Sequence, residues 1–207
     1  MQTAERTLQL RAMPTMKCPA CGAVLDEPAE VCPKCRFTLH RLDPKFGTLP
    51  LRNRYLTDRA QALSLEEVAR LRELLQRFEN RFPQSLFSVF VTDLPPDTNV
   101  REYAFWLANR AHFSSVESEA ADNLDLLLVI DPAHHAAALT IGYGLEQFVT
   151  EENLRDALAA AENALRRNQL ERAIRICVDH MTRDLCKASR TAERAHKFGD
   201  QLSVEQW

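Results

Sequence analysis

The chain has 207 residues, 45% of them hydrophobic, and a formal net charge of −3. That length allows one ordinary domain plus a small one, and no stretch approaches the roughly 18 uncharged apolar residues of a membrane-spanning helix. Residues 1–57 carry nine basic and five acidic side chains, whereas residues 58–187 carry fourteen and twenty-one. The acidic larger part would repel a phosphate backbone, so nucleic-acid binding is not expected.

Residues 1–14 read as a flexible leader without the apolar run of an export signal, so a cytoplasmic location with reduced thiols is expected. Next comes "KCPACGAVLDEPAEVCPKCRF", residues 17–37. Cys18 and Cys21 form one CxxC pair and Cys32 and Cys35 another. Two intervening residues let the chain turn back into a knuckle with both sulfurs facing one point. Two knuckles supply the four thiolates of a closed tetrahedral zinc shell. Disulfides or an iron–sulfur cluster use the same residues, but disulfides require an oxidising compartment. A filled shell has no open position for water or substrate, so the expected zinc is structural. Gly22 follows the first pair, where the knuckle favours positive φ; Arg36 holds the equivalent place after the second. Some thirty residues, 15–45, cannot bury enough core to fold alone, and metal binding supplies the missing free energy. This ribbon is expected to have a core separate from the rest and to dock another protein.

Residues 46–57 read as a linker. Ser64 and Glu67 form a capping box that opens a helix bearing Val68, Leu71, Leu75, Phe78 and Phe82, closed by Pro83. "LFSVFVTD" is apolar enough for a central strand. Asn99 and Glu102 open a second helix with Val100, Tyr103, Leu107 and Ala111. "NLDLLLVIDPAHHAAALTIGYGLE" reads as two strands around the turn "DPAHH". Thr150 caps a third helix with Leu154, Leu158, Ala161 and Leu165 on one face. A fourth carries Leu170, Ile174, Cys177, Met181 and Leu185. This order predicts an α/β fold, a mixed sheet covered by helices on both sides. A charged tail, 188–207, is expected to be loose.

"CVDHMTR", from Cys177 to Arg183, has the bare spacing of a cysteine phosphatase. It contains no glycine and sits in a helical pattern whose N–H groups are already bonded, so Cys177 reads as core. His134 and His135 read as surface turn residues. There is no GxSxG, Walker or GxGxxG pattern. Asp122 and Glu146 flank the hairpin at its open end and could together bind Ca²⁺ or Mg²⁺; the same positions fit carboxylates solvated at strand ends.

"YLTDRAQALSLEEVARLRELL", "DNLDLLLVIDP" and "IGYGLEQFVTEENL" together resemble the TPM domain family over roughly residues 50–187. The resemblance implies an α/β/α sandwich, divalent-metal binding, phosphatase-like activity in some members and accessory or membrane quality-control roles in others. Carried over by position, its acidic residues are Asp58, Asp122 and Glu146. The chain departs from the pattern at Leu124, where glycine is usual, and at Glu151, where aspartate is. Without a visible nucleophile or complete ligand set, an interaction or accessory protein is the expected function. A metal-dependent phosphatase-like hydrolase is the alternative.

Overall fold

The computed structural model describes residues 16–25, 30–110 and 124–204. Two short strands, β1 (Met16–Lys17) and β2 (Val24–Leu25), pair antiparallel at the N-terminus. A 3-10 turn (Leu39–Arg41) and the one-turn helix α1 (Asp43–Phe46) follow. The main body comprises β3 (Leu56–Asp58), α2 (Leu65–Arg81), β4 (Phe87–Val91), α3 (Val100–Arg110), β5 (Leu126–Asp131), β6 (Ala136–Ile141), α4 (Glu151–Arg166) and α5 (Leu170–Val204).

The sheet runs β3-β4-β5-β6, with the first three strands parallel and β6 antiparallel to β5. Every residue of β4 and β5 is buried, as expected for central strands covered on both faces. Alternation along them divides the core. Phe87, Val89, Val91, Leu126, Leu128 and Ile130 face α2, α4 and α5, whereas Phe90, Leu127 and Val129 face α3. The expected mixed sheet between helical layers is therefore present.

Local signals place the helices. Ser64 and Glu67 form the capping box of α2, and Thr150 and Asn153 form that of α4. The Asn99 side-chain oxygen accepts the Arg101 N–H at 2.9 Å at the start of α3. Asn168, at φ 53°, turns the chain from α4 into α5. Leu170, Ile174, Cys177, Met181 and Leu185 are all buried. In α4 the buried stripe is Ala157, Ala161, Ala164 and Leu165, with Leu154 and Leu158 only partly covered; small side chains there let α4 and α5 approach closely.

Three expectations change. The segment after Lys187 is not a loose tail, because α5 continues to Val204; it contains no proline, and its Ala, Arg, Glu and Lys content favours helix. The start of the main body lies within the presumed linker, since β3 begins at Leu56. Arg52, also in that linker, is buried, donating to Ser88 Oγ at 2.9 Å and to the Leu107 carbonyl at 3.4 Å.

The third change concerns the extent of the ribbon: the knuckles keep a small core of their own around Cys18, Leu25 and Cys32, but residues 37–46 pack on the main body instead. Leu42 is buried with Phe90, Tyr103, Trp106 and Leu107, and Phe37, Leu39 and Phe46 pack against the same cluster. The Phe46 ring meets Tyr103 edge-on with centroids 5.1 Å apart and Trp106 at 5.2 Å. Asp43 accepts from Trp106 Nε1 at 3.0 Å and from Arg110 at 2.8 Å. These bonds, the guanidinium's first, hold the Asp43 carboxyl below the usual carboxylate range. Residues 37–46 thus form an outer layer over α3.

Candidate metal centre and the acidic positions

Each CxxC knuckle is held by the same pair of backbone bonds. Gly22 N–H donates to the Cys18 carbonyl and Cys18 N–H to that of Ala23, both at 2.8 Å. Arg36 N–H donates to the Cys32 carbonyl at 2.8 Å, and Cys32 N–H to that of Phe37 at 2.9 Å. Gly22 has φ 70° and Arg36 φ 56°, so the second knuckle imposes on arginine a conformation that glycine adopts without cost.

The two knuckles bring all four sulfurs within 4.8 Å of one another. Cys18 and Cys35 Sγ are 3.6 Å apart, and Cys21 and Cys32 Sγ 3.7 Å apart. A disulfide would need about 2.05 Å, whereas tetrahedral coordination at about 2.3 Å per bond puts sulfurs about 3.8 Å apart. The four cysteines, none in a disulfide, therefore fit a metal such as zinc. Their electrostatics agree. The Cys35 backbone N–H, the largest influence, helps bring the Cys32 thiol down to about 7, whereas burial pushes Cys35 up to about 12 and also raises Cys18. Thiolates this close repel one another unless a cation sits between them. His40 is not directed at the sulfurs: its Nδ1 lies 3.5 Å from Asp43 and 3.2 Å from Arg110. Among the described residues, the four cysteines are the one group of three or more His, Cys, Asp or Glu side chains close enough to share an ion.

The acidic positions are arranged differently. Asp58 ends β3 in register with Val91, which pairs with Ile130. Glu146 follows a 3-10 turn (Tyr143–Leu145) just beyond Ile141, which pairs with Leu126. Asp58 and Glu146 thus lie at opposite ends of the sheet, separated by roughly 13 Å of strand. Asp58 also has a structural task, its two oxygens accepting the N–H groups of Ala62 at 3.2 Å and Leu63 at 2.9 Å before α2. Asp122 lies outside the described residues. At the Glu146 end stands Asp125, which accepts the Leu86 N–H at 2.9 Å and whose carbonyl accepts from Gly142 at 2.8 Å. Sequence reading passed over Asp125 because it sits inside an apolar run.

The hairpin turn also holds more than surface residues. Asp131 is buried and its Oδ2 lies 2.7 Å from His134 Nδ1. His134 N–H also reaches Asp131 Oδ1 at 3.4 Å, which locks the turn. The i,i+3 spacing of "DPAH" was the available signal. Cys177 is buried inside α5, 3.7 Å from the Ala157 carbonyl, and burial pushes its thiol up to about 12. Both effects disfavour the thiolate that a nucleophile needs.

A mixed four-stranded sheet between helical layers, preceded by a four-cysteine cluster, defines an α/β protein. A family model for the TPM domain matches residues 56–184, more than half of the chain, and the chain belongs to that family. Its fold is similar to two solution NMR structures. One is the N-terminal domain of a protein from P. gingivalis, 19% identical, covering 64% of this chain and 82% of that one at a TM-score of 0.53. The other is the BA42 protein of the psychrophilic bacterium Bizionia argentinensis, 10% identical, covering 61% and 83% at 0.51. Identities this low carry the fold alone. Comparison with curated proteins gave no significant match. Among the described residues no helix is long and apolar enough to cross a membrane.

Proposed function

We propose that this chain is an accessory protein acting by binding: a zinc ribbon of residues 15–45 that docks another protein, joined to a TPM domain. The observation that carries the reading is the clustering of four cysteine sulfurs within 4.8 Å of one another; an ion held by all four would have no open position for substrate. Cys18, Cys21, Cys32 and Cys35 would hold the ion, whose contribution is to fix two knuckles too small to fold unaided. Val24 and Val31, beside the cluster, are 56% and 51% exposed, which suits a protein partner. Thiolate ligands must stay reduced, so the reading carries a cytoplasmic location.

The alternative, a divalent-metal-dependent phosphatase-like hydrolase, would draw on Ca²⁺ or Mg²⁺ at Asp122 and Glu146. Asp58, the third acidic position of the family pattern, ends β3 at the other end of the sheet, so this reading rests on Asp122 and Glu146. The test is phosphate release from a generic phosphomonoester with millimolar Mg²⁺ or Ca²⁺, beside a pull-down with wild type and a Val24→Glu, Val31→Glu double variant. No release, together with a partner retained by wild type and lost by the variant, is expected. Turnover abolished by Glu146→Gln would overturn the accessory reading.

A further inference from the structure

Phe37 belongs to two cores at once. It packs against Cys18, Leu25 and Cys32 in the N-terminal module and against the Tyr103–Trp106–Leu107 cluster over α3. Its ring meets Phe105 edge-on with centroids 5.8 Å apart. It stands two residues past Cys35, and its carbonyl accepts the Cys32 N–H of the second knuckle. Whatever fixes that knuckle therefore fixes the start of the layer covering α3.

That layer cannot hold itself. It consists of a three-residue 3-10 turn and a four-residue helix, far below the length at which a helix is stable alone. It keeps its place through contacts to α3: Leu42 in the core, Phe46 on Tyr103 and Trp106, Asp43 on Trp106 and Arg110, and Lys45 on Glu102 at 2.7 Å. The module has a further tie to the main body, because Lys17 pairs with Glu151 at the start of α4.

We infer that metal binding at the four cysteines and the seating of residues 37–46 over α3 are one coupled equilibrium, so that loss of the metal uncovers the aromatic face of α3. The inference rests on the metal reading above and adds a regulatory consequence: metal occupancy, or any reagent that takes the thiolates, controls exposure of Phe105 and Trp106. Coupling is reciprocal. A change on α3 must therefore alter metal affinity, although Phe105 is remote from the cysteines in sequence and donates nothing to the ion.

Two measurements on the full chain test this. The chain has two tryptophans, so a Trp207→Phe background leaves Trp106 as the reporter. Removing zinc with a chelator should raise acrylamide quenching of Trp106 several-fold. It should also speed deuterium uptake in residues 37–46 and 100–110, with 170–185 unchanged. In the second measurement, competition with a chromophoric chelator reads zinc affinity in Phe105→Ala. Loss of one aromatic pair should weaken affinity about threefold to tenfold, with stoichiometry still one. Phe105 is only half-buried, and Asp43→Asn, which leaves the apolar layer intact, serves as a second variant expected to move affinity the same way. Faster exchange confined to residues before 37, or affinity unchanged in both variants, overturns the coupling and leaves the metal reading standing. A chain that takes up no zinc overturns both.

Discussion

Asp58 and Glu146, which the family pattern groups as acidic site residues, stand at opposite ends of one sheet, because β3 runs parallel to β5 while the segment leading to Glu146 leaves the end of antiparallel β6. Asp58 is instead a backbone acceptor for Ala62 and Leu63. Replacing it by alanine leaves two N–H groups without that acceptor and should destabilise the fold by about 1–2 kcal/mol, in the manner of a lost cap. The loss, read from urea unfolding, should be the same with and without millimolar Ca²⁺. A loss present only with Ca²⁺ would restore Asp58 as a ligand.

Glu171 joins α2 to α5. It accepts from Arg70 at 3.0 and 2.9 Å and from Arg175 at 2.9 Å. The Arg70 bonds foremost hold its carboxyl down to about 2 from an ordinary 4.5. A depressed folded-state value means stability that is present above the unfolded value and lost as pH falls through the folded one. Wild type should exceed Glu171→Gln by about 1 kcal/mol at pH 7, a partly screened pair. The difference should narrow below pH 4.5 and close towards pH 2. A constant difference across that range would show that the charge contributes nothing.

Cys177 should resist iodoacetamide in the native state, since its thiol is buried and pushed up to about 12. Cys186, half-buried on the same helix, is the internal comparison. Mass mapping after brief labelling should find Cys186 modified first; rapid modification of Cys177 would contradict its place in the core.

Arg36 occupies at φ 56° the place that Gly22 occupies at 70°. An Arg36→Gly change should relieve left-handed strain and stabilise the metal-loaded knuckle by up to about 1 kcal/mol. Thermal melting of the zinc-loaded protein reads this; a lower melting temperature would show that the arginine side chain matters more than its backbone.

Local chemistry made much of this molecule legible from sequence. Ser64 with Glu67, Thr150, Asn99 and the buried line from Leu170 to Leu185 each depend on residues within a few positions, and each element stands where its signal falls. The paired CxxC spacing was legible for the same reason. What depended on long-range placement was not. β3 has three residues and no periodicity to read. Strand direction, which separates Asp58 from Glu146, is not written in any one strand. Leu42 reads as ribbon and Phe46 as linker until α3 is beside them, and the Asp131–His134 contact appears only once the hairpin closes.

Metal binding at Cys18, Cys21, Cys32 and Cys35 underlies both the proposed docking module and its coupling to α3. Native mass spectrometry of the purified full chain under reducing conditions measures it directly, with elemental analysis to identify the ion. One zinc per chain is predicted, retained in the single variants Cys177→Ser and Glu146→Gln and lost in Cys32→Ser. A folded, metal-free chain whose four N-terminal thiols all react freely, or a chain carrying iron, would contradict it.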